Sequence, residues 1–524
     1  MSTDRHRSPV AFLVSTPGGR AADEVLDALT PALSRLGTWR YVADPESSLC
    51  HAVARAEEEG RAPVHLAIGV AHRCYLTPAV PTLFLPIWDY PDVPATDLNR
   101  DGRMNWARVA GRADGLLATS RFTADAFARA GAIAPAAILP IPARPGWSEL
   151  ATWGPDLPIT VHVPHVVWGA GDDGPPPGAV AGAVAAAEAR PSASGRSSSL
   201  SARLTRSGAR RLRRIKPYLS NASIARIDGY RRSLETLLRR PDPRRVLGGV
   251  ARFGYRHLIR RWIGEAAHRR LDGIRVGIRG RRSASEHRPS PCLGPSPLTL
   301  SGLVYTAWVD YTEAMTNEVD LISAAIHAFR DRPDVTLLLR LATWPEREAQ
   351  DLVRLRHAFE ASRIEPRCRI VVIPGRLPRE VSLAIGRATS YHVETSRTRG
   401  LSMATTEALA SGRPVIAPAH SAFLEWVDDE VGFPVASHSE PTGWPIDPVG
   451  RHATTWGRPA WSHLRDRMIE SATIAESDPR RYEGLSAAAR QRMAETANVD
   501  RAVAALRGAL AGLPARPIGS LTWA

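Results

Sequence analysis

Apolar runs alternate with amphipathic stretches over the first 150 residues of the chain. Val10–Ser15 predicts a buried strand, which ends at a turn formed by residues 16–19. The next stretch has apolar side chains at helical spacing, at Val25, Leu26, Leu29, Leu33 and Leu36. Further strands are predicted at residues 64–69, 82–85, 115–118 and 137–141. Strands that alternate with helices are typical of a parallel sheet with crossover helices.

A second block of the same kind begins near residue 300. Strands are predicted at residues 303–308, 335–341, 370–373, 390–393 and 415–417, and helices at 319–329, 352–359 and 405–410. Further helices at 459–475 and 479–511 are predicted to close the chain. The pattern therefore predicts an α/β protein with two parallel-sheet domains.

The segment between the two blocks has a different composition. Residues 169–195 are rich in Gly, Pro, Ala and Ser, which is typical of a linker. Residues 191–290 hold 26 Lys and Arg against 6 Asp and Glu, a surplus of 20 positive charges. Because the whole chain has a formal net charge of +15, the rest of the chain is slightly acidic. The basicity is a property of this insert.

The basic insert has two main interpretations. Its predicted helices carry aromatic and aliphatic side chains among the arginines and could lie on an anionic membrane, where each arginine contributes about 1 kcal/mol. That would place the chain on the inner face of the membrane, near a lipid-linked acceptor. The alternative is a solvated, partly helical arm without a dedicated partner. Nucleic acid is a weaker third option, since no nucleic-acid-reading motif accompanies the charge.

Length and composition exclude several classes of protein. The 524 residues have room for two or three domains, and no apolar run approaches the ~20 residues of a transmembrane helix. The apolar run near the N-terminus is too short for a signal peptide. The cysteines are scattered, which argues against a zinc site or a disulfide framework: Cys50, Cys74, Cys292 and Cys368. We expect a cytoplasmic protein without a bound metal.

The most informative stretch is RGLSMATTEALASGRPVIAPAHSAFLEWV, residues 399–427. It predicts a polar loop, a short helix, a turn at residues 412–414 and a buried strand. Gly400 lets the backbone come close to a ligand, and the helix that follows offers N–H groups and a positive dipole end to phosphate. Glu407, in that helix, can accept hydrogen bonds from ribose hydroxyls. An ordinary helix-turn-strand unit of an α/β domain is the alternative.

This stretch resembles the donor-binding segment of the retaining, family 4 glycosyltransferases, whose fold is called GT-B. The pattern there is roughly Glu-Gly-Phe-Gly-Leu-Pro-x-x-Glu-Ala-Met-Ala-x-Gly-x-Pro-Val-Ile-Ala, followed by Glu-x-Val. The positions that match in register are Gly400, Glu407, Ala408, Gly412, Pro414, Val415, Ile416, Ala417, Glu425 and Val427. Arg399 stands where the family has its first glutamate.

The resemblance implies a GT-B fold of two Rossmann-like domains with a cleft between them. The implied limits are 1–168 for the acceptor domain, 169–296 for the linker and basic insert, 297–455 for the nucleotide-sugar domain and 456–524 for C-terminal helices. The implied activity is transfer of a hexose from a nucleotide-sugar donor to a saccharide or lipid-linked acceptor, as in surface polysaccharide assembly. No cofactor is implied beyond that donor substrate.

The resemblance also assigns roles to single residues. Glu407 is implied to bind the nucleotide ribose. In the family the first glutamate contacts the donor sugar, so Arg399 implies that nucleotide recognition is kept while sugar recognition has changed. The family commonly has an arginine and a lysine after the first strand of the second domain, which bind the diphosphate. Residues 310–317 hold no basic side chain and two acidic ones.

Other arginines are candidates for the phosphate site. Arg340 ends the second strand of the second block, at the sheet edge where nucleotides bind, and Arg397 and Arg399 immediately precede the helix of Glu407. A guanidinium fork binds phosphate well. The alternative is that these are ordinary loop arginines in an arginine-rich chain. The hydroxyls of Thr405 and Thr406 could also donate to phosphate, with helix capping as their alternative role.

Candidates in the first domain are fewer. Gly18 and Gly19 resemble the flexible glycine turn after the first GT-B strand. The segment 84–94 contains Trp88 and Asp89, which suit sugar binding, although its prolines favour a rigid turn.

Two other functions compete with sugar transfer. A catalytically silent GT-B protein that acts as a binding or assembly partner is favoured by Arg399 and by the acidic loop at 310–317. A nucleotide-sugar epimerase on the same fold has no positive feature in the sequence.

Overall fold

The computed structural model describes residues 9–77, 80–97, 102–132, 136–155, 157–169, 293–311, 315–444, 447 and 453–514. The basic insert lies outside the described residues, and so do its predicted helices and their suggested membrane contact. Among the described helices, none has the length and apolar character needed to cross a bilayer.

The first sheet has six parallel strands in the order β2-β1-β3-β4-β5-β6. The strands are β1 Val10–Ser15, β2 Gly37–Tyr41, β3 Ala62–Gly69, β4 Thr82–Pro86, β5 Gly115–Ala118 and β6 Ala136–Ile138. The helices are α1 Arg20–Leu36, α2 Pro45–Glu58, α3 Trp106–Ala110 and α4 Arg121–Arg129. The apolar residues predicted on one face of α1 pack against the sheet, with Leu29 and Leu33 fully buried. This confirms the first predicted parallel-sheet domain.

The second sheet follows the Rossmann strand order. Six strands are parallel, in the order β15-β14-β13-β10-β11-β12, and β8 joins β12 in the antiparallel direction. These strands are β8 Val166–Gly169, β10 Leu303–Asp310, β11 Val335–Ala342, β12 Arg369–Pro374, β13 Tyr391–Val393, β14 Val415–Pro418 and β15 Gly432–Val435. The helices are α5 Glu318–Ala328, α6 Glu348–Glu360, α7 Arg379–Ala388 and α8 Met403–Ala410. Together the two sheets confirm the predicted GT-B architecture of two Rossmann-like domains.

Several strands at the margins were not predicted. β7 Ile159–Pro164 pairs with β9 Pro295–Leu300, and β16 Ser437–Gly443 pairs with β17 Ala453–Pro459, each in a two-stranded antiparallel sheet. Through β8 and β7, residues 159–169 lie with the second domain, and the predicted limit at 168 falls inside β8. The four domain limits themselves stay predictions.

The chain closes with three helices, α9 Trp461–Ser477, α10 Pro479–Thr496 and α11 Val499–Ala511. The predicted helix over 479–511 is therefore two helices, and Asn498 caps the second by accepting a hydrogen bond from Arg501 N at 2.8 Å. α11 returns to the first domain, where Ala502, Val503 and Leu506 join the apolar core of α1. The C-terminus thus crosses back onto the first domain, as the GT-B resemblance implied.

Truncating Leu506 should weaken this attachment. The side chain is fully buried between α11 and α1, so Leu506→Ala should lower the free energy of unfolding by about 3 kcal/mol through reduced burial and a residual cavity. Urea unfolding measures the change. Arg507→Ala, at an exposed position of the same helix, is the matched control and should change stability by less than about 0.5 kcal/mol. Equal losses in the two variants would contradict this packing.

Candidate functional site

The strand order of the second sheet reverses between β10 and β13. Rossmann sheets bind ligands outside the carboxyl ends of their strands at such a point. The loop after β13 carries Arg397, Arg399 and Gly400, and Arg340 lies near the end of β11. The structure therefore places Arg340 and the loop after β13 toward the carboxyl ends of the strands of the second sheet.

Arg340 is the unusual residue of this edge. It lies beside Trp308 in the register of β10 and β11, and its guanidinium is 4.7 Å from the centroid of the Trp308 ring. The residue is 6% exposed, yet it forms no hydrogen bond or ion pair with the described part of the chain. Burial, together with the charges of Arg144 and Arg20, lowers the pKa of Arg340 to about 10. An unpaired buried charge costs several kcal/mol, which an anionic ligand would offset.

Two further arginines lie beside Arg340 and form the arginine cluster, defined as Arg20, Arg144 and Arg340. Arg20 is the first residue of α1, and its guanidinium lies 4.8 Å from the same Trp308 ring. Its Nη2 donates to Asp310 Oδ2 at 2.8 Å. Within the described ranges, no group of three or more His, Cys, Asp or Glu side chains is arranged to hold a metal ion.

Glu407 lies against the arginine cluster. The residue is 3% exposed, and Arg144 donates to both of its carboxylate oxygens, from Nε and, at 3.1 Å, from Nη2. Burial raises the pKa of Glu407 to about 7, against the opposing effect of Arg144. The predicted ribose ligand is thus next to the phosphate candidates, and a ribose hydroxyl would have to share the carboxylate with Arg144.

The glycine turn of the first domain opens beside the same cluster. Gly18 and Gly19 have φ values of +77° and +142°, which favour glycine, and a Cβ on either would meet no heavy atom within 4 Å. The 17-residue helix α1 begins directly after the turn, without a side-chain cap at Gly19. Backbone N–H groups and open space therefore adjoin Arg20.

The loop after β13 contacts the first domain. Gly400 N donates to Asp89 Oδ1 at 2.7 Å, and Arg399 Nη1 lies 3.7 Å from Asp89 Oδ2. A Cβ on Gly400 would overlap the carbonyl oxygen of Trp88. The Gly400 backbone therefore approaches the first domain closely, whereas its predicted approach to a ligand stays a prediction.

Three predicted residues make local contacts within the second domain, namely Arg397, Thr405 and Thr406. Arg397 stacks on Trp456 at 4.7 Å and donates to Asn317 Oδ1 at 3.3 Å. The cap of α8 is Ser402, whose Oγ accepts from Thr405 N at 3.2 Å. The capping role considered for the threonines was therefore wrong, because Ser402 precedes the first helical turn. Thr406 Oγ1 instead donates to the carbonyl of Ser402 at 3.0 Å.

The aromatic segment after β4 packs into the interior of the first domain. Trp88 and Tyr90 are buried, and the Trp88 ring lies 4.4 Å from that of Trp106.

Glu425 has a structural role. Its two carboxylate oxygens accept from the N–H groups of Arg121 and Phe122 at 3.0 Å and so cap α4 from the second domain.

Three residues of the site were missed by the sequence reasoning, namely Arg20, Arg144 and Trp308. Arg20 directly follows the glycine turn and Trp308 lies near the end of a strand, so their positions carried a usable signal. Arg144 lies in an irregular segment after β6, where no periodic pattern marks it.

No protein-family model matches the chain, and no curated protein matches it. Solved structures do resemble it in fold. HepE of Anabaena, solved with UDP and glucose, has a TM-score of 0.47 and 12% identity over 96% of this chain and 100% of that chain. Sucrose-phosphate synthase of Thermosynechococcus elongatus has a TM-score of 0.47 and 13% identity over 96% and 98%. A glycosyltransferase of Rickettsia africae has a TM-score of 0.46 and 8% identity over 97% and 99%.

Because the identities are this low, membership of family 4 stays a prediction. Any function has to be inferred from the chain's own residues.

The raised pKa of Glu407 has a consequence for stability. The carboxyl has an ordinary pKa of 4.5 and one of about 7 in the folded chain, so the folded state binds the proton more tightly. The resulting stabilisation is fully present below pH 4.5 and is lost as the pH rises through about 7. Glu407→Gln has no such proton. Urea unfolding of both proteins from pH 4.5 to pH 8 should show wild type losing stability relative to the variant; parallel curves would contradict the assignment.

Proposed function

We propose that the chain transfers a hexose from a nucleotide-diphosphate sugar to a saccharide or lipid-linked acceptor, with retention of anomeric configuration. The observation that carries this proposal is Arg340. A guanidinium that is 6% exposed, with no hydrogen bond or ion pair to any described residue, lies at the ligand-binding edge of a Rossmann sheet. The diphosphate of a donor is the anion that fits this position.

The chemistry of sugar transfer explains why three arginines would meet here. Negative charge builds on the diphosphate as the glycosidic bond breaks, and positive groups fixed in advance stabilise that charge. Arg20, Arg144 and Arg340 supply such groups in a partly buried setting, and the Gly18–Gly19 turn adds the N-terminus of α1. In this assignment the nucleotide sugar is a substrate and no cofactor is needed.

Glu407 would bind the ribose. Its carboxylate adjoins the cluster through Arg144, and the same arginine could turn toward the diphosphate when the donor enters. Glu407 would then be left with acceptor oxygens for the ribose hydroxyls.

The acceptor and the cellular setting are inferred from the insert. A surplus of 20 positive charges in residues 191–290 suits a cytoplasmic enzyme that touches an anionic membrane and assembles a surface polysaccharide on a lipid carrier. Liposome flotation of the intact chain and of a chain without residues 191–290 tests the contact. Equal flotation of the two proteins would contradict it.

A silent GT-B protein is the second candidate. Two observations favour it: both oxygens of Glu407 are already bound by Arg144, and Asp89 already occupies the N–H group of Gly400. Such a protein would bind a nucleotide sugar, or a partner, without turnover.

One experiment separates the two functions. Thermal shift against UDP-, GDP-, ADP- and TDP-sugars should reveal one base series that stabilises the protein, and donor hydrolysis should follow for that series. Binding without hydrolysis or transfer would favour the silent protein. No stabilisation by any nucleotide sugar would contradict both candidates. Glu407→Ala should remove most of the shift, because alanine offers the ribose hydroxyls no acceptor.

A further inference from the structure

We propose that the donor sugar carries a carboxylate, as in a nucleotide-linked hexuronic acid, and that Arg399 and the N–H group of Gly400 bind it. This inference rests on the proposed function, since it assigns the sugar end of the same donor site.

The loop after β13 already holds a carboxylate. Asp89 of the first domain accepts from Gly400 N at 2.7 Å through Oδ1, while its Oδ2 lies 3.7 Å from Arg399 Nη1. The hydroxyl of Thr398 donates to the Asp89 backbone carbonyl. The side chains of Arg399 and Asp89 are 14% and 15% exposed. A largely buried guanidinium and a backbone N–H therefore form a carboxylate cradle, defined as Arg399 and Gly400, which Asp89 occupies within the chain.

The cradle is placed where the sugar of a bound donor would lie. Its loop follows β13, and Arg340 lies on β11, with only β10 between these strands. Neighbouring strands are about 4.8 Å apart, so the ends of β11 and β13, which lead to these two positions, are about 10 Å apart across the sheet edge. A pyranose joined to a diphosphate spans a distance of this order. A diphosphate at Arg340 would therefore bring its sugar to the cradle.

The charges of the loop favour a sugar acid over a neutral sugar. Burial alone would raise the pKa of Glu394, but Arg399, His392 and hydrogen bonds from Ser396 hold it below its usual value. Arg399 thus faces two carboxylates, Glu394 and Asp89. A sugar carboxylate that displaces Asp89 keeps this charge balance, whereas a sugar hydroxyl leaves Arg399 with one anion fewer.

The test uses donors that differ only in the oxidation of the hexose at carbon 6. Isothermal titration calorimetry compares UDP-glucose with UDP-glucuronate, GDP-mannose with GDP-mannuronate and TDP-glucose with TDP-glucuronate, alongside each nucleoside diphosphate alone. The wild-type chain should bind the sugar acid at least about tenfold more tightly than the neutral sugar of the same base. Equal affinities, or tighter binding of the neutral sugar, would overturn the inference.

Three variants test whether Arg399 is responsible for the preference for the sugar acid. Arg399→Gln should abolish it and leave the affinity for the nucleoside diphosphate unchanged, which also shows that the variant folds. Arg397→Gln removes the same charge from the same loop and should keep the preference, because Arg397 stacks on Trp456. Asp89→Asn removes the internal competitor, so affinity for the sugar acid should rise severalfold.

The outcomes separate the two proposals. A preference that survives in Arg399→Gln, or weaker binding of the sugar acid to Asp89→Asn, would contradict the cradle alone. If no nucleoside diphosphate binds, the proposed function fails and the cradle assignment fails with it.

Discussion

Replacing Arg340 with methionine should strongly weaken nucleotide binding and, at the same time, stabilise the unliganded protein. Methionine fills a similar volume without placing an unpaired charge in the interior. Because Arg340 is 6% exposed and has no hydrogen bond or ion pair among the described residues, the free energy of unfolding should rise by about 2 kcal/mol. The cation–π stacking on Trp308 at 4.7 Å is the main interaction that methionine cannot reproduce. The donor loses a charged hydrogen-bond partner worth about 1.5–3 kcal/mol, so affinity should fall about 10- to 100-fold.

Both effects are measurable on one pair of samples. Urea unfolding without ligand gives the stability, and calorimetry with the nucleoside diphosphate gives the affinity. Arg369→Met is the matched control, since Arg369 is a partly buried arginine of β12 whose Nη1 donates to the Thr299 carbonyl at 3.1 Å. It should leave affinity unchanged and should not stabilise the fold. A destabilised Arg340→Met that binds nucleotide normally would show that Arg340 is a structural residue.

Arg413→Met should have the opposite effect on stability. Arg413 is also buried, at 1% exposure, and burial likewise lowers its pKa to about 10. Its guanidinium, however, donates to the carbonyls of Gly386, Ser411 and Ala151 at 3.2, 3.0 and 2.8 Å. Methionine would leave these carbonyls without their donor, and each unsatisfied buried group costs about 1–3 kcal/mol. We expect a loss of at least about 3 kcal/mol in the free energy of unfolding.

The measurement is urea unfolding of Arg413→Met beside Arg387→Met. Arg387 belongs to the neighbouring helix α7, and its side chain is exposed, so its replacement should change stability by less than about 0.5 kcal/mol. A loss below about 1 kcal/mol for Arg413→Met would mean that water replaces the guanidinium at these carbonyls. Arg340 and Arg413 are both buried, so burial alone does not predict how replacing an arginine changes stability. The hydrogen-bond partners of the guanidinium decide the direction of the change.

The central strands of both sheets could be predicted because both of their faces are buried. β1 and β11, for example, are almost continuous apolar runs. The missed strands lack such runs. β2 is half-exposed at the edge of the first sheet, and β9 contains two prolines, which an edge strand tolerates. The partner of β9 is β7, more than a hundred residues earlier, so nothing local marks the pair.

The sequence predicts the position of a candidate site residue when that position depends only on the order of the strands. Arg340 lies near the end of β11, next to the strands where that order reverses, so its place at the sheet edge could be inferred. Arg144 and Asp89 could not be assigned, because their contacts depend on how the two domains meet. Glycine at position 400 was predicted to allow close approach to a ligand, whereas the close contact in the structure is with the carbonyl of Trp88.

The central claim is that the arginine cluster binds a diphosphate. A crystal structure of the chain with the nucleoside diphosphate that it binds best is the most direct measurement. A phosphate oxygen should lie within about 3 Å of an Arg340 guanidinium nitrogen, with Arg20 or Arg144 as a second ligand. Phosphate density elsewhere, with the Arg340 guanidinium still lacking a partner, would contradict the account.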